Sequence, residues 1–260
     1  MPSRWEVRLH GPIGVDIPMG APHEAVSRWL QTRSRTAVSP FVVTPPVTRN
    51  GITVMEIRLL DDALAPQLLA AASPGRPVRL GRHHFTVAAA PRMSRATPWP
   101  DLVETPRRRP PRWGAWGSGW AWQLRFVTPS TFRYGEAFSP WPAPENVLTS
   151  LADRWRALQP ATAPWLPREA LASVWVSEVD GRSVPLRSDS SSVIGFVGRV
   201  RYVCAGTDEQ GRTIQVLLRF AEYAGVGCHT SCGFGVVRLE RIWQPTTAVA
   251  VLTAAKESSA

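Results

Sequence analysis

An α+β fold of two tandem ferredoxin-like units, each running βαββαβ, is what this sequence predicts, and three observations predict it. Apolar alternation at period two gives way repeatedly to apolar spacing of three and four residues. The order strand, helix, two strands, helix, strand is traced twice, without visible sequence identity between the rounds. A stretch rich in Pro, Arg and Trp separates them, and 260 residues suffice for two units that each bury a core. The expected organisation is a first unit over 1–90, a linker over 91–119, a second unit over 120–245 and a tail over 246–260.

Arg4 to Leu9 alternates as a strand, and Gly11 to Gly20 is a Pro/Gly-rich crossing. Pro22 suits the first turn of a helix, on which Ala25, Val26, Trp29 and Leu30 form one apolar stripe. Phe41 to Thr44 and Ile52 to Leu60 read as strands joined through a turn at Asn50-Gly51. Leu64 to Ala72 follows as a short helix with Leu64, Leu68 and Leu69 on one face, and Pro77 to Val87 returns as a hairpin around Gly81.

From Ala90 to Gly119 the run Pro106-Arg107-Arg108-Arg109-Pro110-Pro111-Arg112-Trp113 excludes a central helix or strand. Trp122 to Thr128 opens the second round as a strand. Pro144 to Leu158 is the clearest helix, with Val147, Leu148, Leu151, Trp155 and Leu158 on one face and Pro160 beyond its end. Ser173 to Val176 and Val193 to Cys204 are strands, Thr213 to Ala224 a helix, and Phe234 to Trp243 the closing strand. Small and polar residues over Thr246 to Ala260 predict a frayed tail.

The formal net charge is +10, and all of the 30 Lys and Arg residues except Lys256 are arginine. Arginine over lysine fits either phosphate recognition or the codon usage of a GC-rich genome, but codon usage does not explain the excess over Asp and Glu. Arginine clasps phosphate through a flat fork of donors and stacks on bases, so nucleic acid is the expected partner. No apolar run reaches the ~20 residues needed to cross a bilayer, and Met1 to Trp29 lacks the pattern of a cleaved leader, so no membrane partner is expected and the location is read as cytoplasmic. Three cysteines, Cys204, Cys228 and Cys232, do not make a paired secretory framework. Cys228 and Cys232 have no second close pair to complete a zinc site, so neither metal nor other cofactor is expected.

Between the last helix and the last strand lies Ala224-Gly225-Val226-Gly227-Cys228-His229-Thr230-Ser231-Cys232-Gly233-Phe234-Gly235-Val236-Val237. Glycines here let backbone N–H groups approach a phosphate. The Gly-Lys-Ser/Thr ending of a nucleotide triphosphate loop is absent, and a strand follows rather than a helix.

This segment closely resembles the C-terminal glycine-rich loop of the CRISPR-associated pre-crRNA processing endoribonucleases of the RAMP superfamily. Four further stretches resemble that family in order: Ser39 to Pro45, Trp122 to Arg133, Phe138 to Glu145 with Ser150-Leu151 and Arg154-Trp155, and Gly195 to Tyr202. The resemblance implies two ferredoxin-like domains that hold CRISPR repeat RNA and cut it without a metal ion. A 2′-hydroxyl would attack the adjacent phosphorus, leaving a 2′,3′-cyclic phosphate and a 5′-hydroxyl. The protein would then supply alignment, a base, an acid and positive charge. Other subunits of a CRISPR effector complex are also admitted as partners.

The family often uses a histidine near the first helix, and His23 at the start of that helix is the first catalytic candidate. Many members carry theirs after the helix, where Gln31 to Ser39 holds none. A catalytically inactive repeat-RNA-binding subunit, or a structural RAMP subunit, therefore stays open as the alternative. Arg28 is the candidate for stabilising charge, since a guanidinium does not give up its proton, and Tyr134 is a candidate hydroxyl donor. Candidate RNA contacts are Arg33, Arg35, Arg107, Arg108, Arg109 and Arg112, and in the loop Gly225, Gly227, His229, Thr230, Ser231, Gly233 and Gly235. His229 is the second histidine candidate, with phosphate or base contact its expected role. His10, His83 and His84 read as structural or exposed, the last two pointing to opposite faces of a strand. Trp113, Trp116 and Trp120 are candidates for stacking on bases, whereas Trp29, Trp122 and Trp155 read as packing.

Overall fold

A computed structural model describes residues 2–31, 38–93, 99, 102, 119–188 and 191–243. The first sheet takes β1 (Ser3–His10), β2 (Phe41–Val43), β3 (Val47–Arg49), β4 (Ile52–Leu59), β5 (Pro77–Leu80) and β6 (His83–Ala89). Its order is β2-β4-β1-β6-β5, with β3 also on β4 and every pairing antiparallel. The strand expected over Phe41 to Thr44 is β2, and β3, which the sequence reading did not include, pairs with β4 beyond the break made by Pro45 and Pro46. Asn50 and Gly51 both have positive φ, the geometry of the tight hairpin turn their sequence predicts.

Ser3, Trp5, Val7 and Leu9 of β1 point into a core closed by α1 (Gly20–Trp29) and α2 (Ala65–Ala71). Ala25, Val26 and Leu30 are buried as their spacing predicts, with Trp29 partly so. Leu69 departs from expectation. It is 46% exposed, because α2 turns Ala65 and Leu68 inward and Leu69, about 100° further round the helix, falls off that face.

The second sheet has β10 (Val174–Ser188), β11 (Ser191–Cys204), β7 (Trp120–Ser130) and β12 (Val237–Trp243), in that order and antiparallel. In each sheet the first strand is central, β1 between β4 and β6 and β7 between β11 and β12, which is the ferredoxin-like arrangement once the β2/β3 and β5/β6 pieces are each counted as one strand. A small hairpin of β8 (Phe132–Tyr134) and β9 (Ala137–Ser139) leaves the end of β7. Helix α3 (Pro144–Leu158) has the bounds that its stripe and flanking prolines predict. After a short α4 (Arg168–Ala172), α5 (Asp208–Ala224) begins five residues before the expected Thr213. Thr207 and Gln210 form a reciprocal capping box that starts the helix ahead of Gly211.

Trp122, Leu124, Phe126, Leu151, Trp155, Leu217 and Phe220 form the second core. Trp120 belongs here too, a correction to its reading as a base-stacking residue: it is 5% exposed, stacked on Trp122, and its indole donates to Asp208. Of the Pro/Arg/Trp-rich stretch, Trp99 and Leu102 are described. Both are buried against this core, Trp99 lying 4.9 Å from the Trp155 ring.

A set of charges fastens the first sheet to α5. Arg4 Nη2 donates to the Glu222 carbonyl at 3.0 Å, and its guanidinium lies 4.8 Å over the Tyr223 ring. Arg4 is 3.9 Å from both the Glu56 and the Glu222 carboxylates, and fully buried Arg58 donates to Glu56 at 2.8 Å. Burial pulls the Arg58 guanidinium below its ordinary range, and Glu56 opposes that pull. No helix among the described residues is long and apolar enough to cross a membrane.

Candidate functional site

The turn after α5 is held open by its anchors. Arg154, on α3, reaches across to donate to the Ala224 carbonyl and, at 3.0 Å, to the Gly227 carbonyl. Burial lowers its pKa to about 10, with Cys228 pulling the other way, so the guanidinium stays charged near neutrality. Ser150, one helical turn earlier, accepts from the Gly227 N–H at 3.4 Å. These are the polar residues of the Ser150-Leu151 and Arg154-Trp155 stretches, and their work is to brace this loop.

The far side is tied to the end of β7. Cys228 N–H donates to the Thr131 carbonyl, Gly235 N–H to the Pro129 carbonyl and Val236 N–H to Thr128 Oγ1, each within 3.0 Å. Such close backbone approach requires glycine. A Cβ on Gly235 would stand 1.9 Å from the Val226 oxygen, and one on Gly227 2.2 Å from the Thr131 oxygen, both at positive φ.

Within this frame the chain makes one tight turn, Thr230–Cys232, preceded by His229 in the left-handed region at φ 57°. A non-glycine residue held there marks a position that its surroundings over-determine. Among the described residues, the backbone N–H groups of His229, Thr230 and Ser231 have no hydrogen-bond acceptor, although Thr230 is 6% exposed. They form a cluster of donors suited to an anion.

The turn packs on the first unit, against α1 and β2, and a Cβ on Gly233 would meet Pro45 at 3.1 Å. There His23 and Ser231 come together. The His23 ring stacks on Phe41 at 5.4 Å, Nε2 is 3.4 Å from Ser27 Oγ, and Nδ1 is buried without a formed hydrogen bond. Burial lowers the His23 pKa from its ordinary 6.5, partly offset by the nearby Ser231 backbone and the charge of Glu24. Burial therefore favours the neutral imidazole.

The other candidates are placed as follows. Arg28 is exposed and sits about 140° around α1 from His23, at 3.6 residues per turn, so it does not share His23's face. Tyr134 is 76% exposed on the β8–β9 hairpin, and no hydrogen bond or ring contact among the described residues joins it to His23. The exposed His229 ring leans on Phe138 of β9 at 5.7 Å and on Phe234 at 5.8 Å. Phe138, 44% exposed, is an aromatic neighbour that sequence reasoning missed as a contact. Only its place in a proline-flanked aromatic run signalled it. Arg33, Arg35, Arg107, Arg108, Arg109 and Arg112, with Trp113 and Trp116, lie outside the described residues. Cys228 and Cys232 are free thiols, and among the described residues no group of three or more His, Cys, Asp or Glu converges as a metal-binding set would.

Comparison with known proteins gives a consistent picture. Residues 124–237 match the family described as CRISPR-associated endoribonuclease Cas6. A curated protein of that name from Mycobacterium tuberculosis is 31% identical over 120 residues, which is 45% of this chain and 38% of that protein's length. The chain thus matches well under half the length of its curated relatives. Among solved structures, a Cas6 product complex is 31% identical with a TM-score of 0.74, covering 92% of this chain and 99% of the other. A Cas6 substrate mimic complex is 30% identical with a TM-score of 0.69, covering 92% and 100%. Thermus thermophilus Cas6, at 24% identity and a TM-score of 0.68 over 92% and 98%, shares the fold.

Proposed function

The chain belongs to the CRISPR-associated endoribonuclease Cas6 family, and from that premise we propose that it binds CRISPR repeat RNA and cleaves the precursor transcript within the repeat. The observation that carries the reading is the meeting of the glycine-rich turn with α1, which sets the turn that carries unpaired backbone donors against the helix that carries His23, whose neutral form burial favours. Such a seam supplies two things that 2′-hydroxyl attack requires without a metal ion. Backbone N–H groups fixed in place stabilise the crowded phosphate, and an imidazole able to accept or return a proton serves the attacking or the departing oxygen. The products would be a 2′,3′-cyclic phosphate and a 5′-hydroxyl.

A second reading is favoured by one observation: His23 is wedged between Phe41 and Ser27 with Nδ1 buried, as a packing residue of the domain seam would be. On that reading the chain holds repeat RNA and does not cut it. Cleavage of repeat RNA from the organism's own CRISPR array separates the two. The endoribonuclease reading expects cutting to survive EDTA, to stop when the scissile 2′-hydroxyl is replaced by hydrogen, and to slow by about tenfold or more in His23→Ala.

The pH profile gives the sign. Because the folded protein disfavours protonated His23, an acid limb of kcat/KM due to this base should lie below pH 6.5, and His23→Ala should remove it. Stability follows the same direction. It is fully present above the unfolded value of 6.5 and declines as pH falls towards the folded value, since the unfolded chain takes up a proton that the folded one resists. Unimpaired cutting by His23→Ala would remove this residue from the chemistry.

A further inference from the structure

Cleavage as proposed needs a proton to pass between the RNA and His23, and the surroundings of that ring restrict the route. Phe41 covers one face of the imidazole, with the ring centroids 5.4 Å apart. Nδ1 is enclosed and has no formed hydrogen bond, so a ribose hydroxyl cannot reach it. The other nitrogen, Nε2, lies 3.4 Å from Ser27 Oγ. In a neutral ring one nitrogen carries the proton and the other a lone pair. The Ser231 backbone favours the charged ring, as a carbonyl acceptor does, and enclosed Nδ1 is the nitrogen left for it. The proton then belongs on Nδ1, and the Nε2 lone pair faces the Ser27 hydroxyl.

Ser27 follows His23 by one turn of α1, about 40° round the helix and so on the same face. A serine inside a helix commonly returns its hydroxyl to the carbonyl four residues back. Among the described residues Ser27 makes no such bond, and its hydroxyl is matched with the side chain of His23 instead. Ser27 is half-buried where Nδ1 is closed off, so its Oγ is the polar atom of the pair that a ribose can approach from solvent. The Thr230–Cys232 turn packs on the same helix.

We propose that Ser27 is the link between His23 and the RNA: its hydroxyl donates to Nε2 in the free protein and, as the 2′-hydroxyl attacks, takes the ribose proton while handing its own to Nε2. In that step the bond from the 2′-oxygen to phosphorus forms and the bond from phosphorus to the 5′-oxygen breaks. The 5′-oxygen leaves with a proton from water, and the hydroxide so formed takes the Nε2 proton of the imidazolium. Ser27 gives up one proton as it accepts another, so its oxygen is never a full alkoxide. The inference rests on the reading of His23 as the base of repeat-RNA cleavage, and the test separates the two.

The test pairs single-turnover cleavage of repeat RNA, at saturating protein, with NMR of the histidine ring nitrogens, for the parent, Ser27→Ala, Ser27→Thr and His23→Ala. Ser27→Ala should slow the cleavage step by about tenfold or more with the Kd for the RNA unchanged. Ser27→Thr keeps the hydroxyl and should recover most of that rate. Alanine is the stronger helix former, so Ser27→Ala should keep the parent's thermal midpoint. The His23 signals, identified by their loss in His23→Ala, should show the proton on Nδ1 in the parent. Cleavage by Ser27→Ala at the parent's rate, an equal loss in Ser27→Thr, or a proton on Nε2 of the parent's neutral ring would overturn the relay and leave His23 as the base. If the parent does not cut, or His23→Ala cuts as fast as the parent, the reading beneath the relay fails and the relay fails with it.

Discussion

Arg154→Ala should lower stability by about 3 kcal/mol and reduce repeat-RNA cleavage by about a hundredfold. The substitution strips the partner from the Ala224 and Gly227 carbonyls, both of which belong to buried residues, and each hydrogen bond from a charged donor is worth ~1.5–3 kcal/mol. Those carbonyls anchor the start of the loop whose Thr230–Cys232 turn packs on α1, and a displacement of about 1 Å is enough for a hundredfold loss of rate. Arg154→Lys should not fully restore either quantity, because an ammonium gathers its donors on one nitrogen, whereas Arg154 reaches the two carbonyls from two separate nitrogens. Urea unfolding and single-turnover cleavage measure the two effects. An unchanged unfolding midpoint in Arg154→Ala would mean that the loop is braced by something else.

Glu56→Ala is expected to cost about as much by a different route. Its carboxylate lies between Arg58, 1% exposed, and Arg4, so its removal leaves two enclosed guanidinium groups with Glu222 as the remaining nearby carboxylate. Removing one partner of a buried pair typically costs ~3–5 kcal/mol, and in a protein of this size ~3 kcal/mol is a fall of about 6–12 °C in Tm. Because Arg4 holds the C-terminal end of α5, which runs directly into the glycine-rich turn, cleavage should fall with stability. A Tm within 1 °C of the parent's would show that the charges do not fasten the first sheet to α5.

Much of this architecture is legible in the residues because it rests on short-range patterning. Val147, Leu148, Leu151 and Trp155 recur at helical spacing between Pro144 and Pro160, and α3 has those bounds. Asn50-Gly51 and Gly81 mark hairpin turns by conformations open to few other residues. What is not legible depends on partners distant in sequence. Nothing around Arg154 says that it will cap carbonyls 70 and 73 residues away, and nothing around Arg58 says that its strand will be covered by α5. Trp120 looked available to a base because composition cannot distinguish an indole facing solvent from one stacked on Trp122. His23 was legible as chemistry, a histidine on the first helix, but the turn that meets it comes more than two hundred residues later. Cross-strand register brings Arg199, Arg125 and Arg238 into one row, and it too is unreadable until the strands are paired.

The central claim is that RNA is cut where the glycine-rich turn lies against α1. Photocrosslinking tests it most directly, using repeat RNA with a 4-thiouridine at the scissile nucleotide and a 2′-deoxy sugar there to prevent turnover, followed by mass spectrometry of the attached peptides. The account predicts that crosslinks fall on the peptides containing His23 and His229 to Cys232. Crosslinks confined to other peptides, in a preparation that still cleaves unmodified repeat RNA, would contradict it.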